Sequence, residues 1–373
     1  MKLILAICVA IFVYLIQQKI YRRMWDKSLD VSISFPEEYI EEGEMSALIE
    51  VVNNNKFLPL PVFHVKFAAP RSFRFSNQEN ASVTDLYYRN DVFSVMGNQK
   101  ITRQLDFVGE KRGFYSVTGI NIIAKDFFMT KTFAKNITNH ANMYVFPQKL
   151  TGPKFKDFSN VLIGEIENRK SLYEDPYTFS GIREYDRGDS MNRINWKATA
   201  RNNQLMVNIY AHASEQPVKI LLNLETHIML RPEIIRELCI SFAASISESL
   251  LANKIPVMFS SNGEDMITKE CESVNAGASM NHLISINKCL ARIDKNRGID
   301  SFFDIVNGEI KSGKTNTSYV VISPYYKEDL LLKLDYMVSK GICVKMLVPY
   351  YDIQEFVPSR DYMYGWEVKY DET

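Results

Sequence analysis

The run Leu3 to Ile16, LILAICVAIFVYLI, places fourteen apolar residues in succession at the amino end of this chain. As a helix it covers roughly 21 Å, and continuing through Tyr21 brings it to roughly 28 Å, enough to cross the hydrocarbon core of a bilayer. Lys19, Arg22 and Arg23 then fall where their stems can snorkel toward the headgroups, and Trp25 falls at the interface. Residues 1–24 therefore read as an uncleaved transmembrane signal anchor. A cleaved signal peptide is the rival, but no small-x-small site follows the run before the charges; a buried helix is the remaining alternative.

Only Lys2 precedes the run, whereas Lys19, Arg22, Arg23 and Lys27 follow it. The positive-inside rule then predicts a single-pass protein of the cell membrane with its soluble body in the cytoplasm. The cysteines agree with that side: Cys8 lies in the run, and Cys239, Cys271, Cys289 and Cys343 are scattered without Cys-x-x-Cys spacing, so they read as reduced thiols. Lys plus Arg equals Asp plus Glu at 44 each. No global field attracts nucleic acid, and electrostatic recognition must be local.

With 373 residues, 46% of them hydrophobic, the chain can build more than one core. Across residues 29–150 short alternating runs such as LDVSISF, SALIEVVN and VFHVKFA are separated by Gly, Asn and Pro turns, which predicts an antiparallel β-sandwich. Residues 151–216 read as a linker followed by a distinctive polar segment, with Gly152-Pro153 and Asp175-Pro176 as breakers. In residues 217–373 apolar runs (PVKILLNL, IPVMFSS, SYVVIS, ICVKMLVP) alternate with helical patterns at about 231–253, 277–312 and 326–340. That rhythm predicts an α/β domain with a mainly parallel, Rossmann-like sheet.

The polar segment, Gly181 to Arg201, reads GIREYDRGDSMNRINWKATAR. Asp189 and Ser190 are good helix N-caps, and a helix starting there sets Arg193, Lys197 and Arg201 in a basic stripe beside Trp196. Arg183-Glu184-Tyr185, Gly188-Asp189, Arg193, Ile194, Trp196-Lys197 and Ala200-Arg201 follow in order, and this pattern resembles the signature of domain of unknown function family fifty-eight (DUF58). KRGFYSVTGINIIAKDFF at 111–128 and YVFP at 144–147 resemble the strands ahead of that signature. The resemblance implies a von Willebrand factor type A-like form of the α/β domain. It also implies partnership with a MoxR-type AAA+ ATPase in complex assembly or envelope maintenance. Members of that family are usually described with two membrane helices; this chain has one such run.

The sequence offers two chemical alternatives. Type A domains often hold Mg²⁺ on an Asp-x-Ser-x-Ser run after the first strand. Here the corresponding positions are Asn223, Glu225 and His227, a degenerate set for a hard cation that prefers oxygen, and Ser323-Pro324-Tyr325 lacks the acid that often completes such a site. A metal-dependent adhesion module would need that set to survive. Gly308 to Thr315 formally satisfies G-x-x-x-x-G-K-[ST], but a phosphate loop must follow a strand and open a helix, and the patterns around it run in the reverse order. A nucleotide-binding or hydrolytic enzyme would rely on that loop or on a cluster near Glu225. The expectation is instead a non-enzymatic, membrane-anchored adaptor that needs no cofactor. Within it Arg183, Glu184, Asp189, Arg193 and Arg201 form a structural ion-pair network with Trp196 wedged beneath, and the Arg193–Lys197–Arg201 stripe docks a partner.

Overall fold

The structure, a computed structural model, describes residues 2–77, 81–172, 174–187, 189–212, 216–229, 231–294, 301–313, 316–353 and 355–370. They belong to two compact units, Met1–Gln148 and Lys149–Thr373.

The first unit opens with helix α1 (Lys2–Met24), whose last turn carries Arg22 and Arg23 where cations complement the helix dipole. Among the described residues it is the one helix long and apolar enough to cross a membrane. Ten strands follow: β1 (Leu29–Ser34), β2 (Tyr39–Glu41), β3 (Met45–Asn54), β4 (Leu60–Ala69), β5 (Phe73–Phe75), β6 (Ala81–Val83), β7 (Tyr87–Val95), β8 (Gln99–Gly109), β9 (Gly113–Lys125) and β10 (Thr132–Phe146). They make a four-stranded sheet, β1-β3-β8-β5, and a six-stranded sheet, β2-β10-β9-β4-β7-β6. All pairings are antiparallel except that of β2 with β10.

Alternation along the strands fills the space between these sheets with Leu48, Val52, Phe63, Val65, Phe107 and Ile122. The end of α1 belongs to the same core: Tyr21 is 3% exposed and Trp25 7% exposed. The Tyr21 hydroxyl donates to the Pro59 carbonyl at 2.8 Å, and Trp25 stacks on Phe133 at 5.8 Å. The core also holds charge. Arg89 grips Asp91 at 3.0 and 3.1 Å, Arg103 reaches Asp91 at 3.0 Å, and Glu50, directly across from Arg103 in the β3–β8 register, is fully buried. Burial, with the Asp91 charge, pushes the Glu50 carboxyl up to about 8, while Arg103 and Arg89 pull the other way.

The second unit contains α2 (Pro153–Leu172), β11 (Glu174–Glu184), α3 (Trp196–Asn202), β12 (Met206–His212), β13 (Val218–Leu222), α4 (Pro232–Ala252), β14 (Val257–Glu264), β15 (Cys271–Gly277), α5 (Met280–Arg292), α6 (Phe302–Ser312), β16 (Ser318–Ile322), α7 (Glu328–Ser339), β17 (Val344–Tyr351) and β18 (Met363–Val368). β11 and β12 form a separate antiparallel ribbon, and the remaining strands form a sheet ordered β15-β14-β13-β16-β17-β18. Residues 153–172, read above as linker, are helical instead. Pro153 opens α2, a position that suits its fixed φ and missing N–H, and Phe155, Leu162 and Ile166 are buried in this unit's core.

The expected fold class needs correction. The chain is β-rich, with antiparallel and mixed sheets following an N-terminal helix, and among the described residues nine of the fourteen strand pairings are antiparallel. In the second unit the antiparallel β15 closes one edge of the sheet, and the ribbon stands apart from it. A sandwich followed by a mainly parallel, Rossmann-like type A domain is therefore not the description that fits. The reason is physical: hydrophobic runs locate strands but carry no direction, and the polar strand CESVNAG has no such run to mark it. Among the described residues no cysteine forms a disulfide, and Cys239, Cys289 and Cys343 are buried.

Candidate functional site

The segment 181–201 folds as the turn-bearing half of the β11–β12 ribbon. Arg183 pairs with Val207 and Glu184 with Met206, and the Tyr185 N–H donates to the Leu205 carbonyl at 2.8 Å. The turn is closed by Asp189. Its carboxylate accepts both guanidinium nitrogens of Arg183 at 2.6 Å and the Asp186 N–H at 2.9 Å. The Arg183 bonds, then the Asp186 amide, hold the Asp189 carboxyl below its ordinary range against the opposing effect of burial, and the Arg183 and Arg193 charges add to the lowering. Gly188 lies outside the described residues.

The expected helix from Ser190 does not form as one piece. Met191–Arg193 makes a 3₁₀ turn whose preceding Ser190 offers no side-chain cap, and α3 begins only at Trp196. The cap is Asn195: its Oδ1 accepts the Ala198 N–H at 2.9 Å, and its Nδ2 donates to Asn208 at 2.7 Å. Arg193 consequently lies on a different element from Lys197 and Arg201, and the three do not make one helical stripe. Trp196 is not wedged beneath the network; it is 67% exposed, and Lys197 and Arg201 are exposed with it. Ile194 and Val207, which bridge each other, take the buried positions. Thus the segment brings Arg183, Asp189 and Arg193 together and leaves Trp196, Lys197 and Arg201 facing outward.

A second cluster lies at the carboxyl ends of β13, β14 and β16, adjacent parallel strands. Asn223, Asn262 and Ser323 are fully buried there. Asn223 Nδ2 donates to Ser323 Oγ at 2.9 Å, while its Oδ1 accepts Asn262 Nδ2 and the Glu225 N–H, both at 2.9 Å. Asn262 Oδ1 accepts the Leu224 N–H at 2.8 Å, and Ser323 Oγ donates to the Tyr325 carbonyl at 2.7 Å. Glu225 turns to the start of α6, where Oε1 accepts the Phe302 N–H at 3.1 Å. His227 packs edge-on against Tyr326 at 4.8 Å, and burial, helped by the Lys327 charge, lowers its pKa. The three candidate positions share one strand end but do not converge on a common point. Their oxygens serve backbone and amide donors, an arrangement suited to joining three strands. Among the described residues no group of three or more His, Cys, Asp or Glu is placed to hold a metal ion. Sequence reasoning missed Asn262, although the Asn-Gly pair closing SSNGE was a visible sign of a specialised strand end.

Gly308 lies inside α6, and Gly313 ends that helix at φ +60°, a left-handed position. Strand β16 then follows. Helix before and strand after is the wrong order for a phosphate loop. Glu309 within the string is engaged with Lys219 at 2.5 Å and the Tyr319 hydroxyl at 3.0 Å. Lys314 and Thr315 lie outside the described residues.

Comparison with known proteins connects this segment to a family. Residues 181–270 match the family model described as "Protein of unknown function DUF58", which takes in the ribbon turn, α3, Asn223, Asn262 and α4. No curated protein matches the chain. Among solved structures, the chain is similar to the ASH/PapD-like domain of human CEP192 (12% identity, 33% of this chain and 87% of that one, TM-score 0.22). It is also similar to the bacterial hydrophobin BslA (12% identity, 33% and 97%, TM-score 0.22). A third is a non-cellulosomal cohesin from the archaeon Archaeoglobus fulgidus (10% identity, 35% and 97%, TM-score 0.22).

Proposed function

We propose that this chain is a membrane-anchored, non-enzymatic interaction protein whose body lies in the cytoplasm and whose α3 face docks a protein partner. The observation carrying the reading is Trp196, two-thirds exposed on a seven-residue helix with Lys197 and Arg201 exposed beside it. Leaving an indole in water gives up much of the burial that makes Trp useful in a core. Exposed Trp next to cations is a common composition for the centre of a protein interface. The flanking charges suit an acidic partner surface. A MoxR-type AAA+ ATPase is the partner that the DUF58 resemblance implies. The sealed Asn223 cluster and the helix-to-strand order around Gly313 favour this reading over metal or nucleotide chemistry.

The test is affinity capture of the tagged full chain from native membranes, comparing wild type with Trp196→Ala, Lys197→Glu, Arg201→Glu combined, after circular dichroism shows the variant folded. Recovery of an AAA+ ATPase with wild type and its loss in the variant would support the proposal. Equal recovery from both would remove the docking role of α3, and no ATPase from either would remove the partner.

A further inference from the structure

Where β9 turns into β10, the loop Asp126–Lys131 presents Phe127, Phe128 and Met129 to the outside, each half or more exposed. This tip is not loose. Asp126 is fully buried and accepts the Lys131 N–H at 2.8 Å and the Thr130 hydroxyl at 2.7 Å, and the Met129 N–H donates to the Asp126 carbonyl at 2.9 Å. Met129 is held at φ +59°, unusual for a residue with a side chain. The fold fixes the loop while leaving its apolar side chains without cover.

The tip lies against α1. The Tyr14 hydroxyl donates to Thr130 Oγ1 at 3.3 Å, the Tyr14 and Phe128 rings are 6.2 Å apart, and Phe127 lines an apolar groove of 330 Å³ with Val13, Ile16 and Ile20. Leu58 and Pro59 line the same groove, so the β3–β4 loop shares this end of the unit, and there Phe57 is 90% exposed. Met96, 63% exposed, lies on the neighbouring β7–β8 turn, where Gly97 sits so close to Phe57 that a Cβ would meet its carbonyl oxygen at 2.3 Å. One end of the sandwich thus carries Phe57, Met96, Phe127, Phe128 and Met129 around the emerging helix.

The height of the contact decides what covers them. Tyr14 is five residues toward the amino end from Lys19, or roughly 8 Å farther along the helix axis. The stretch Leu3–Val13 beyond the contact measures only about 16 Å, half the hydrocarbon thickness of about 30 Å. If α1 crosses a bilayer, residues near Tyr14 must lie inside the leaflet, and whatever touches Tyr14 from the side lies there too. We infer that the β9–β10 loop is embedded in the membrane, with Phe127, Phe128 and Met129 among the lipid chains and Phe57 and Met96 at the headgroup boundary. Contiguous exposed apolar residues at a fixed end of a domain fit a lipid surface. The inference rests on reading α1 as a membrane-spanning helix.

The experiment places an environment-sensitive fluorophore at one position at a time in the full chain, reconstituted in phosphatidylcholine–phosphatidylglycerol vesicles. One sample, Cys271→Ser, is labelled at the native Cys8 within α1. The other, Cys8→Ser, Cys271→Ser, Phe128→Cys, is labelled at the loop. Quenching of both labels by nitroxide-bearing acyl chains, with the loop label quenched several-fold less by a water-soluble nitroxide than by the lipid-borne one, is the expected result. If Cys8 is quenched from the lipid but position 128 only from water, the loop inference is overturned and the anchor stands. If neither is quenched from the lipid, the membrane-spanning reading fails and takes the inference with it.

Discussion

Arg183 holds Asp189 through two parallel bonds of 2.6 Å, Nη1 to Oδ2 and Nη2 to Oδ1. Paired in this way the two planar groups fix the angle between the end of β11 and the turn that follows. Because the folded pKa of Asp189 is depressed, its contribution is present above the ordinary carboxylate range and is lost as pH falls through the folded value. Asp189→Asn should therefore raise hydrogen exchange across residues 183–189 at neutral pH, corrected for intrinsic rates, to the level that wild type reaches only on acidification below about pH 4. Unchanged exchange in the variant would mean that the turn closes without the pair.

The Asn223 amide joins three strands while fully buried. Asn223→Ala leaves Asn262, Ser323 and the Glu225 N–H each short of a partner, and unsatisfied buried groups cost about 1–3 kcal/mol each before relaxation. We expect a loss of about 2–4 kcal/mol in urea unfolding of the second unit. A loss below about 0.5 kcal/mol would place the cluster among dispensable surface contacts.

Glu50 tests the buried charges of the sandwich. With its folded pKa raised to about 8, folded protein binds a proton that unfolded chain releases, so wild-type stability falls as pH rises from the ordinary Glu range toward 8. Glu50→Gln removes that dependence, and its advantage over wild type should grow by about 1.4 kcal/mol per pH unit between pH 5 and 8 and level off above. Burial lowers the pKa of Lys56 to about 8, which acts in the opposite sense above that pH. The difference between the two proteins in thermal unfolding, in which Lys56 cancels, is therefore the quantity to follow.

Exposure separates the residues of α3 from their neighbours. Trp196→Ala should change stability by less than about 0.5 kcal/mol, whereas Val207→Ala, at a buried position of the ribbon, should cost about 1–3 kcal/mol. Comparable losses in denaturant unfolding would show that the indole packs in solution and that α3 has no free face.

Much of this was visible in the residues. Leu3–Ile16 lies within α1, and the runs at 217–224, 255–261, 318–323 and 342–349 each overlap a strand, because a continuous apolar run has little else to become in a large core. Strand direction was not visible, nor was α2, whose buried Phe155, Leu162 and Ile166 are spread thinly among polar residues. In the signature, composition offered an ion-pair network among five residues without saying that Arg183 pairs with Asp189, and the break between the 3₁₀ turn and α3 was not legible. Asn195 competed with Asp189 and Ser190 as the cap and won, because its second amide hydrogen bond ties it to Asn208 on β12. The hydrogen bonds of the Asn223 cluster were not legible for a related reason: a strand end able to ligate a cation and one that ties neighbouring strands together use the same polar residue types.

Tyr21 and Trp25 finish a helix and, in the same turn and a half, fill the sandwich. A stem that ends inside the body it carries leaves no swivel. Whatever tilt and azimuth the helix takes in its surroundings is imposed on the ten strands below it, so a visitor from solution meets the same sheet edges at the same height every time. Trimming the stem for solubility would have to stop short of Tyr21, since a cut beyond it opens the body as well.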